Sequence, residues 1–294
     1  MNLALRDIRH NLGRFLLTCV GLSLLLAVVL SMIGIYRGLV ADALTLARAP
    51  GADIWVVESG TRGPFAEASR IPGDTREQIA RLAGVAVAGS VTFQSIETFH
   101  RARKLRLQIV GYEPGRPGGP AEIAGGRMIA RSHFEIVADQ RTGLALGERL
   151  RLGRDEFTVV GLTRNMVSSG GDAIIYMTLL DSQALQFELA PPAARREKAR
   201  GAAGGGIDTV NAVLARVAPN ASAIEVAEAA RRWKHLSAMT QGEQETILTR
   251  SVVEKARQQI GLFTSILLLV STVIIALIIY TMTVDKKKSI ATLK

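Results

Sequence analysis

Two long stretches without a charged residue limit what this 294-residue chain can fold into more than any other feature does. They lie between Arg14 and Arg37 and between Arg257 and Asp285. Each is longer than the roughly 20 apolar residues that an α-helix needs to cross a hydrocarbon core about 30 Å thick. The pattern predicts a membrane protein with two transmembrane helices, at residues 15–37 and 258–284. The first stretch is too long for the apolar core of a signal peptide, so we expect it to remain uncleaved.

Basic residues at the two ends of the chain predict its orientation. Arg6, Arg9 and Arg14 precede the first apolar stretch, and Lys286–Lys288 follow the second. Because short flanks rich in Lys and Arg stay in the cytoplasm, both termini should be cytoplasmic. The segment between them, residues 38–257, then forms a large domain on the other side of the membrane.

The first 14 residues, 1–14, form a separate element. Leu5, Ile8 and Leu12 recur at helical spacing beside several arginines, which is typical of an amphipathic helix in the membrane interface. The alternative is that these arginines only extend from the end of the first span to the membrane surface.

Composition excludes several classes of function. The net charge of +10 is typical of nucleic-acid-binding proteins, but the basic residues are not clustered with aromatic ones, so we expect no nucleic-acid partner. The single cysteine, Cys19, lies in the first apolar stretch, so the outer domain has no disulfide. The histidines have no metal-ligand spacing and are expected to be structural or on the surface; they are His10, His100, His133 and His235. The sequence contains neither a Walker A motif nor a catalytic triad pattern, so we expect no enzyme activity, no metal and no cofactor.

Small residues form a stripe along the first predicted span. At about 100° per residue the members share one third of the helix circumference. They are Cys19, Ser23, Ala27, Ser31, Gly34 and Gly38. Since helices in lipid associate through close backbone contact over small residues, the stripe predicts a helix-packing face. The alternative is that Gly and Ser are simply common in membrane spans.

The outer segment predicts an α+β domain with an insertion. Residues 53–100 show a strand–loop–helix–strand pattern, and a strand and a helix return at residues 207–246. Between them, residues 101–180 are rich in strand patterns, and residues 189–206 combine Pro, Gly, Ala and charge as in a mobile loop. From about Gln244 the sequence is helical up to the second apolar stretch. That helix is either a mechanical coupling to the membrane or a simple tether.

Four motifs together resemble a known family. They are GADIWVVESGTRGPFAEASRIPGD at 51–74, GGPAEIAGGRMI at 118–129, HFEIVADQRTGLALGERLRL at 133–152 and FTVVGLT at 157–163. In this order, with a basic DKKKSIATLK segment after the second apolar stretch, the chain resembles ABC-transporter permeases of the MacB/FtsX type, most closely the DevC-like exporter permeases. The resemblance covers essentially the whole chain.

The resemblance implies a fold, a membrane and partners. The fold would be two transmembrane helices flanking a large α+β periplasmic domain, with a βαβ-containing lobe and an inserted β-rich lobe. The protein would be the permease subunit in a bacterial inner membrane, a homodimer bound to cytoplasmic ATPase subunits that bind the ATP. A periplasmic membrane-fusion adaptor is a further expected partner. Family members have four spans, whereas two are predicted here. The chain would then be truncated, or a partner segment would supply the other spans, or the protein would be a two-span relative.

The resemblance also assigns a role to the end of the chain, residues 285–294. The segment after the second span would dock on the ATPase, and its expected contact residues are Lys286, Lys287, Lys288, Ile290 and Leu293. Two alternatives remain at this stage. One is a two-span membrane sensor or receptor, and the other is an FtsX-like regulator of a cell-wall hydrolase that transports no substrate.

Overall fold

The computed structural model describes residues 12–61, 63, 69–101, 103–168, 170–199, 208–250, 261–273, 276 and 280. The chain divides into two compact units, one formed by Met1–Val40 with Val252–Lys294 and the other by Ala41–Ser251. The helices are α1 (Leu12–Arg48), α2 (Thr75–Ala80), α3 (Leu179–Leu189), α4 (Pro192–Ala199), α5 (Ala223–Arg231), α6 (241–250) and α7 (261–273).

The first unit contains most of α1 and all of α7. Within α1, the 30-residue part Cys19–Arg48 is long and apolar enough to cross a membrane, which confirms an apolar helix at the first predicted span. The helix α7 is shorter, and most of the remainder of the predicted span 258–284 lies outside the described residues. The second span therefore stays a prediction. The predicted interfacial segment up to residue 11 and the predicted coupling segment 285–294 also lie outside the described residues.

The second unit is built on one large sheet. Its strands are β1 (Ile54–Glu58), β3 (Val85–His100), β4 (Arg103–Tyr112), β5 (Gly125–Gly126), β6 (Glu135–Asp139), β7 (Arg149–Leu152), β8 (Asp155–Thr163), β9 (Ala173–Thr178), β11 (Ala212–Val217) and β12 (Leu236–Thr240). The ten strands follow the order β12-β1-β11-β3-β4-β9-β6-β8-β5, with β7 paired to β8. A second, small sheet pairs β2 (Ile71–Pro72) with β10 (Thr209–Val210). Two pairs, β4 with β9 and β6 with β8, are parallel, and the others are antiparallel.

The long strand β3 joins the two regions that the sequence separates. Its first part pairs with β11, and its second part, from Val91 to His100, pairs with β4. The predicted α+β lobe and the predicted β-rich insertion therefore share one continuous sheet. The 16 residues of β3 explain this arrangement, because a strand of that length reaches across both regions.

Two hydrophobic clusters lie on the two faces of β1, and a third lies among β4, β6, β7, β8 and β9. Ile54 and Val56 pack in one hydrophobic cluster, and Trp55 and Val57 pack in another. The alternation follows from the two-residue period of a strand, and all four side chains are buried. This confirms the strand that the pattern of residues 53–100 predicts at its start. The helix α5 covers the first of these clusters.

The predicted loop at residues 189–206 contains a helix. Where the sequence analysis expects no regular structure, α4 forms over Pro192–Ala199, and residues 200–207 lie outside the described residues. Local composition explains the difference. Proline is favoured at the first position of a helix, and the Ala, Arg, Glu and Lys residues that follow are strong helix formers.

Candidate functional site

Two helices that lead in sequence towards the apolar segments meet within the second unit. The helix α1 ends at Arg48 and is followed by Gly51, whose φ is +61° and whose N–H donates to the Arg48 carbonyl at 3.0 Å. The strand β1 then begins at Ile54, and α6 follows β12 directly. Since β1 and β12 are antiparallel neighbours with Ile54 opposite Thr240, the start of β1 lies beside the end of β12. The end of α1 and the beginning of α6 are thereby brought together.

The side chain of Gln241 connects three elements at this point. The Trp55 indole Nε1–H donates to Gln241 Oε1 at 3.0 Å. Gln241 Nε2 donates to the Ala47 carbonyl at 3.0 Å and to Glu245 Oε1 at 3.2 Å. Trp55 and Ala47 are both fully buried, so these bonds join the last turn of α1, the strand β1 and the first turn of α6 inside the unit.

An ion pair adds a second link between the helices. Arg48 Nε donates to Glu245 Oε1 at 2.8 Å and Arg48 Nη2 donates to Glu245 Oε2 at 2.9 Å, the two-pronged geometry of a strong arginine–carboxylate pair. The Arg48 guanidinium holds the pKa of Glu245 below its ordinary value, against the opposing effect of burial. Arg48 also suits the negative end of the α1 dipole. We call Ala47, Arg48, Trp55, Gln241 and Glu245 the junction.

A capping box begins α6 next to the junction. The Thr240 N–H donates to Glu243 Oε2 at 2.8 Å, and the Glu243 N–H donates to the Thr240 hydroxyl at 3.3 Å. This reciprocal arrangement satisfies two of the donors that a helix start leaves unpaired. Glu243 Oε2 also accepts from Arg231 Nη2 at 2.6 Å, so the start of α6 is tied to the end of α5 as well.

A buried amide lies on another face of α6. The side chain of Gln244 is fully buried, and its Nε2 and Oε1 have no hydrogen-bond partner among the described residues. It packs against Gly63, whose φ is +98°. A Cβ at that glycine would lie 2.6 Å from Gln244 Oε1, so a larger residue would have to displace the buried amide as well as adopt the positive φ that favours glycine.

Hydrogen bonds to one buried carboxylate hold the segment before β6. Glu135 is buried and accepts from Arg127 Nη1 at 2.9 Å, and Arg127 Nη2 contacts its other oxygen. The N–H groups of Ala130 and Arg131 donate to the same carboxylate, each at 3.0 Å. The pKa of Glu135 is lowered to about 2, mainly by Arg127 and to a smaller extent by the two N–H groups, although burial alone would raise it. These bonds give the GGRMIAR segment, residues 125–131, a structural role, because they hold the loop before β6 in place.

A second buried carboxylate organises the turn after β6. Asp139 accepts from the N–H of Arg141 at 2.9 Å, from the N–H of Met166 at 2.7 Å and from the Thr163 hydroxyl at 3.2 Å. Asp139 therefore joins β6, β8 and the loop before β9. Glu135 and Asp139, two acidic residues of the 133–152 motif, thus have structural roles.

The structure places the predicted residues as follows. The stripe along α1 is exposed, and a Cβ at Gly34 or Gly38 would meet no described atom within 4 Å. The packing role of the stripe stays a prediction. His133 contacts Asp181 and His100 contacts Glu148, while the predicted coupling residues lie outside the described part of the chain; they are Lys286, Lys287, Lys288, Ile290 and Leu293. Within the described residues, no cluster of His, Cys, Asp or Glu is placed to hold a metal ion.

The junction was not predicted from the sequence. The readable local signal beside it is the T-x-x-E capping box at Thr240–Glu243, which marks the start of α6. The contacts of Trp55 with Gln241 and of Arg48 with Glu245 join residues almost 200 positions apart. They depend on the pairing of β1 with β12, which no local pattern reports.

Comparison with known proteins places the chain in context. The model of the MacB-like periplasmic core domain matches residues 15–233. Two curated relatives, both described as uncharacterized ABC transporter permeases from strains of Mycobacterium tuberculosis, are 24% identical over 188 residues, which is 64% of this chain and 53% of each relative. The chain thus spans about half the length of these relatives.

Solved structures give a more distant likeness. The periplasmic region of MacB from Actinobacillus actinomycetemcomitans matches with a TM-score of 0.46 at 9% identity, covering 66% of this chain and 91% of that one. The extracellular domain of the noncanonic ABC-type transporter YknZ from Gram-positive bacteria matches with a TM-score of 0.41 at 11% identity, covering 64% and 99%.

Proposed function

Because the chain belongs to the MacB-like periplasmic core domain family, we propose that it forms part or all of the permease subunit of an ABC transporter. A separate cytoplasmic ATPase binds and hydrolyses the ATP, and the second unit is the periplasmic domain on which the resulting movement acts. Transport of a substrate and regulation of a cell-wall hydrolase would both use this movement.

The junction is the observation that supports the proposal. The end of α1 and the beginning of α6 are joined to each other by Arg48 and Glu245. Both are joined to the sheet through Gln241 and Trp55. Trp55 is fully buried in β1, and Gln241 follows β12 without a linker. A displacement of the end of α1 or the beginning of α6 would therefore be transmitted to both adjacent strands, β1 and β12. A simple tether would need no such connection.

The partners follow from the same proposal. The permease is a multi-pass protein of a bacterial inner membrane with both termini in the cytoplasm. The basic tail docks on the ATPase, with Lys286–Lys288 at the lipid surface and Ile290 and Leu293 in a cleft of the partner. The small-residue stripe of α1 packs in a homodimer, and a periplasmic adaptor contacts the outer domain.

A charge swap at the junction tests the proposal. The permease and its ATPase are reconstituted in lipid nanodiscs, with Cys19→Ala and a fluorophore on Ser132→Cys, an exposed position of the domain. ATP should change the fluorescence of the parent protein. Arg48→Glu or Glu245→Arg alone places like charges together and should reduce that change severalfold.

The double variant distinguishes coupling from simple damage. Arg48→Glu with Glu245→Arg restores an opposite-charge pair and should recover part of the response. Recovery should be incomplete, because an arginine at position 245 cannot accept the bond from Gln241 and each new charge lies at the unfavourable end of its helix dipole. A matched swap of Arg149 with Glu156, an exposed pair 3.6 Å apart, should have no effect. The proposal is wrong if both single variants respond to ATP as the parent does.

A further inference from the structure

The strand β12 lies at one end of the sheet among the described strands. The N–H of Gln241 donates to the Asp53 carbonyl at 2.8 Å, and the N–H of Ser59 donates to the His235 carbonyl at 2.9 Å. Since the backbone N–H and C=O groups of an antiparallel strand alternate in direction, those of Ser237 and Met239 point towards β1. The backbone groups of Leu236, Ala238 and Thr240 therefore face away from the sheet.

Groups of the same chain already occupy this outer edge. Arg231 Nε donates to the Ala238 carbonyl at 2.6 Å, and Glu243 Oε2 accepts from the Thr240 N–H at 2.8 Å. The Leu236 N–H donates to the Trp233 carbonyl at 2.9 Å. Arg231 and Glu243 are themselves paired at 2.6 Å, so the ion pair covers the middle and the end of the strand edge.

An open groove of about 500 Å³ runs between β12 and one face of α6. Its walls are Ser237–Thr240 on the strand side and Gly242, Glu243, Thr246, Ile247 and Arg250 on the helix side, with Arg231 also contributing. Arg231 and Glu243 thus line the groove, and among the described residues their side chains occupy the Ala238 carbonyl and the Thr240 N–H of the edge.

A second copy of this chain is the occupant that the edge fits. An antiparallel pair of β12 strands related by a two-fold axis at Ala238 would place Ala238 opposite itself and Leu236 opposite Thr240. Those are the residues whose backbone groups face outward. Exposed strand edges pair in this way unless charged side chains or other devices block them.

We propose that Arg231 and Glu243 guard this edge and prevent β12 from pairing with β12 of a second copy of the chain. The contact is distinct from the homodimer contact proposed for α1. It does not depend on the proposed function, because it concerns the folding and solubility of the domain alone.

Cross-linking of the full chain in detergent tests whether Arg231 and Glu243 prevent this pairing of β12. In a Cys19→Ala background, Ser237→Cys supplies one thiol, and in the two-fold pairing these thiols lie on diagonal neighbours about 7–8 Å apart, within reach of a short bis-maleimide. The parent should give little cross-linked dimer. Arg231→Ala, which uncovers the Ala238 carbonyl, should increase the dimer about fivefold or more.

Two controls make the result specific. Arg154→Ala removes an arginine from another exposed ion pair, with Glu188, and should leave the cross-linking at the parent level. Ser132→Cys in place of Ser237→Cys should show no increase with Arg231→Ala, because that position is far from β12 in the sheet order. An unchanged yield at position 237, or an equal rise at position 132 from general aggregation or misfolding, would overturn the proposal.

Discussion

Replacing Gln241 with alanine should loosen the junction by a calculable amount. The change removes hydrogen bonds to Trp55, to the Ala47 carbonyl and to Glu245, while Glu245 keeps its pair with Arg48. Two buried partners thus lose a bond worth roughly 0.5–1.5 kcal/mol each, so the domain should lose about 2 kcal/mol of stability. For a domain of this size about 1 kcal/mol corresponds to roughly 2–4 °C, which predicts a fall of about 4–8 °C in the unfolding midpoint.

Intrinsic fluorescence is the direct assay for this change. The two tryptophans of the chain, Trp55 and Trp233, both lie in the second unit, so thermal unfolding of the full chain in detergent reports on that unit. Gln108→Ala is the matched control, because Gln108 bonds only Ser95 on an exposed hairpin face among the described side chains. The reasoning is refuted if Gln241→Ala and Gln108→Ala shift the midpoint equally, or if neither shifts it.

Three further predictions concern other parts of the chain. Glu135 has a pKa of about 2 in the folded protein against an ordinary 4.5, so its stabilisation is complete above pH 4.5 and is lost as the pH falls towards 2. Glu135→Gln should lower the free energy of unfolding in urea by up to roughly 3 kcal/mol at pH 7, and the loss of stability towards low pH should become smaller. Gly63→Ala should lower the unfolding midpoint more than Gly60→Ala does, because both have positive φ but only the first Cβ would collide with a described side chain. Ala27→Leu should weaken dimer formation in chemical cross-linking through steric exclusion, whereas Leu25→Ala should be milder, and equal effects would contradict the packing face.

Local patterns predicted much of the fold. The continuous apolar run at residues 54–57 predicted β1, strand-forming patterns predicted most of β3 and the strand-rich region that contains β8, and the uncharged stretch predicted the apolar part of α1. These elements are readable because burial and period act within a few residues. The four motifs also identified the family, since their order along the chain carries more information than any one of them.

Long-range pairing could not be read from the sequence. The junction requires Trp55 and Gln241 to be neighbours, and only the register of β1 against β12 decides that. The same is true of the continuous sheet, because the passage of β3 from β11 to β4 depends on strand partners and not on its own pattern. The helix α4 was missed because a Pro- and Ala-rich composition is shared by loops and helix starts.

If an ABC ATPase acts on this chain, the two proteins should co-purify from native membranes. The tagged chain is isolated in mild detergent and the co-purified chains are identified by mass spectrometry. We expect an ABC ATPase that carries the Walker A motif, in an amount comparable to the tagged chain. Ile290→Ser with Leu293→Ser should reduce its recovery about tenfold or more while membrane insertion is unchanged, because burial of each aliphatic side chain contributes about 1.5–3 kcal/mol. Recovery of a cytoplasmic signalling protein without any ABC ATPase would contradict the account.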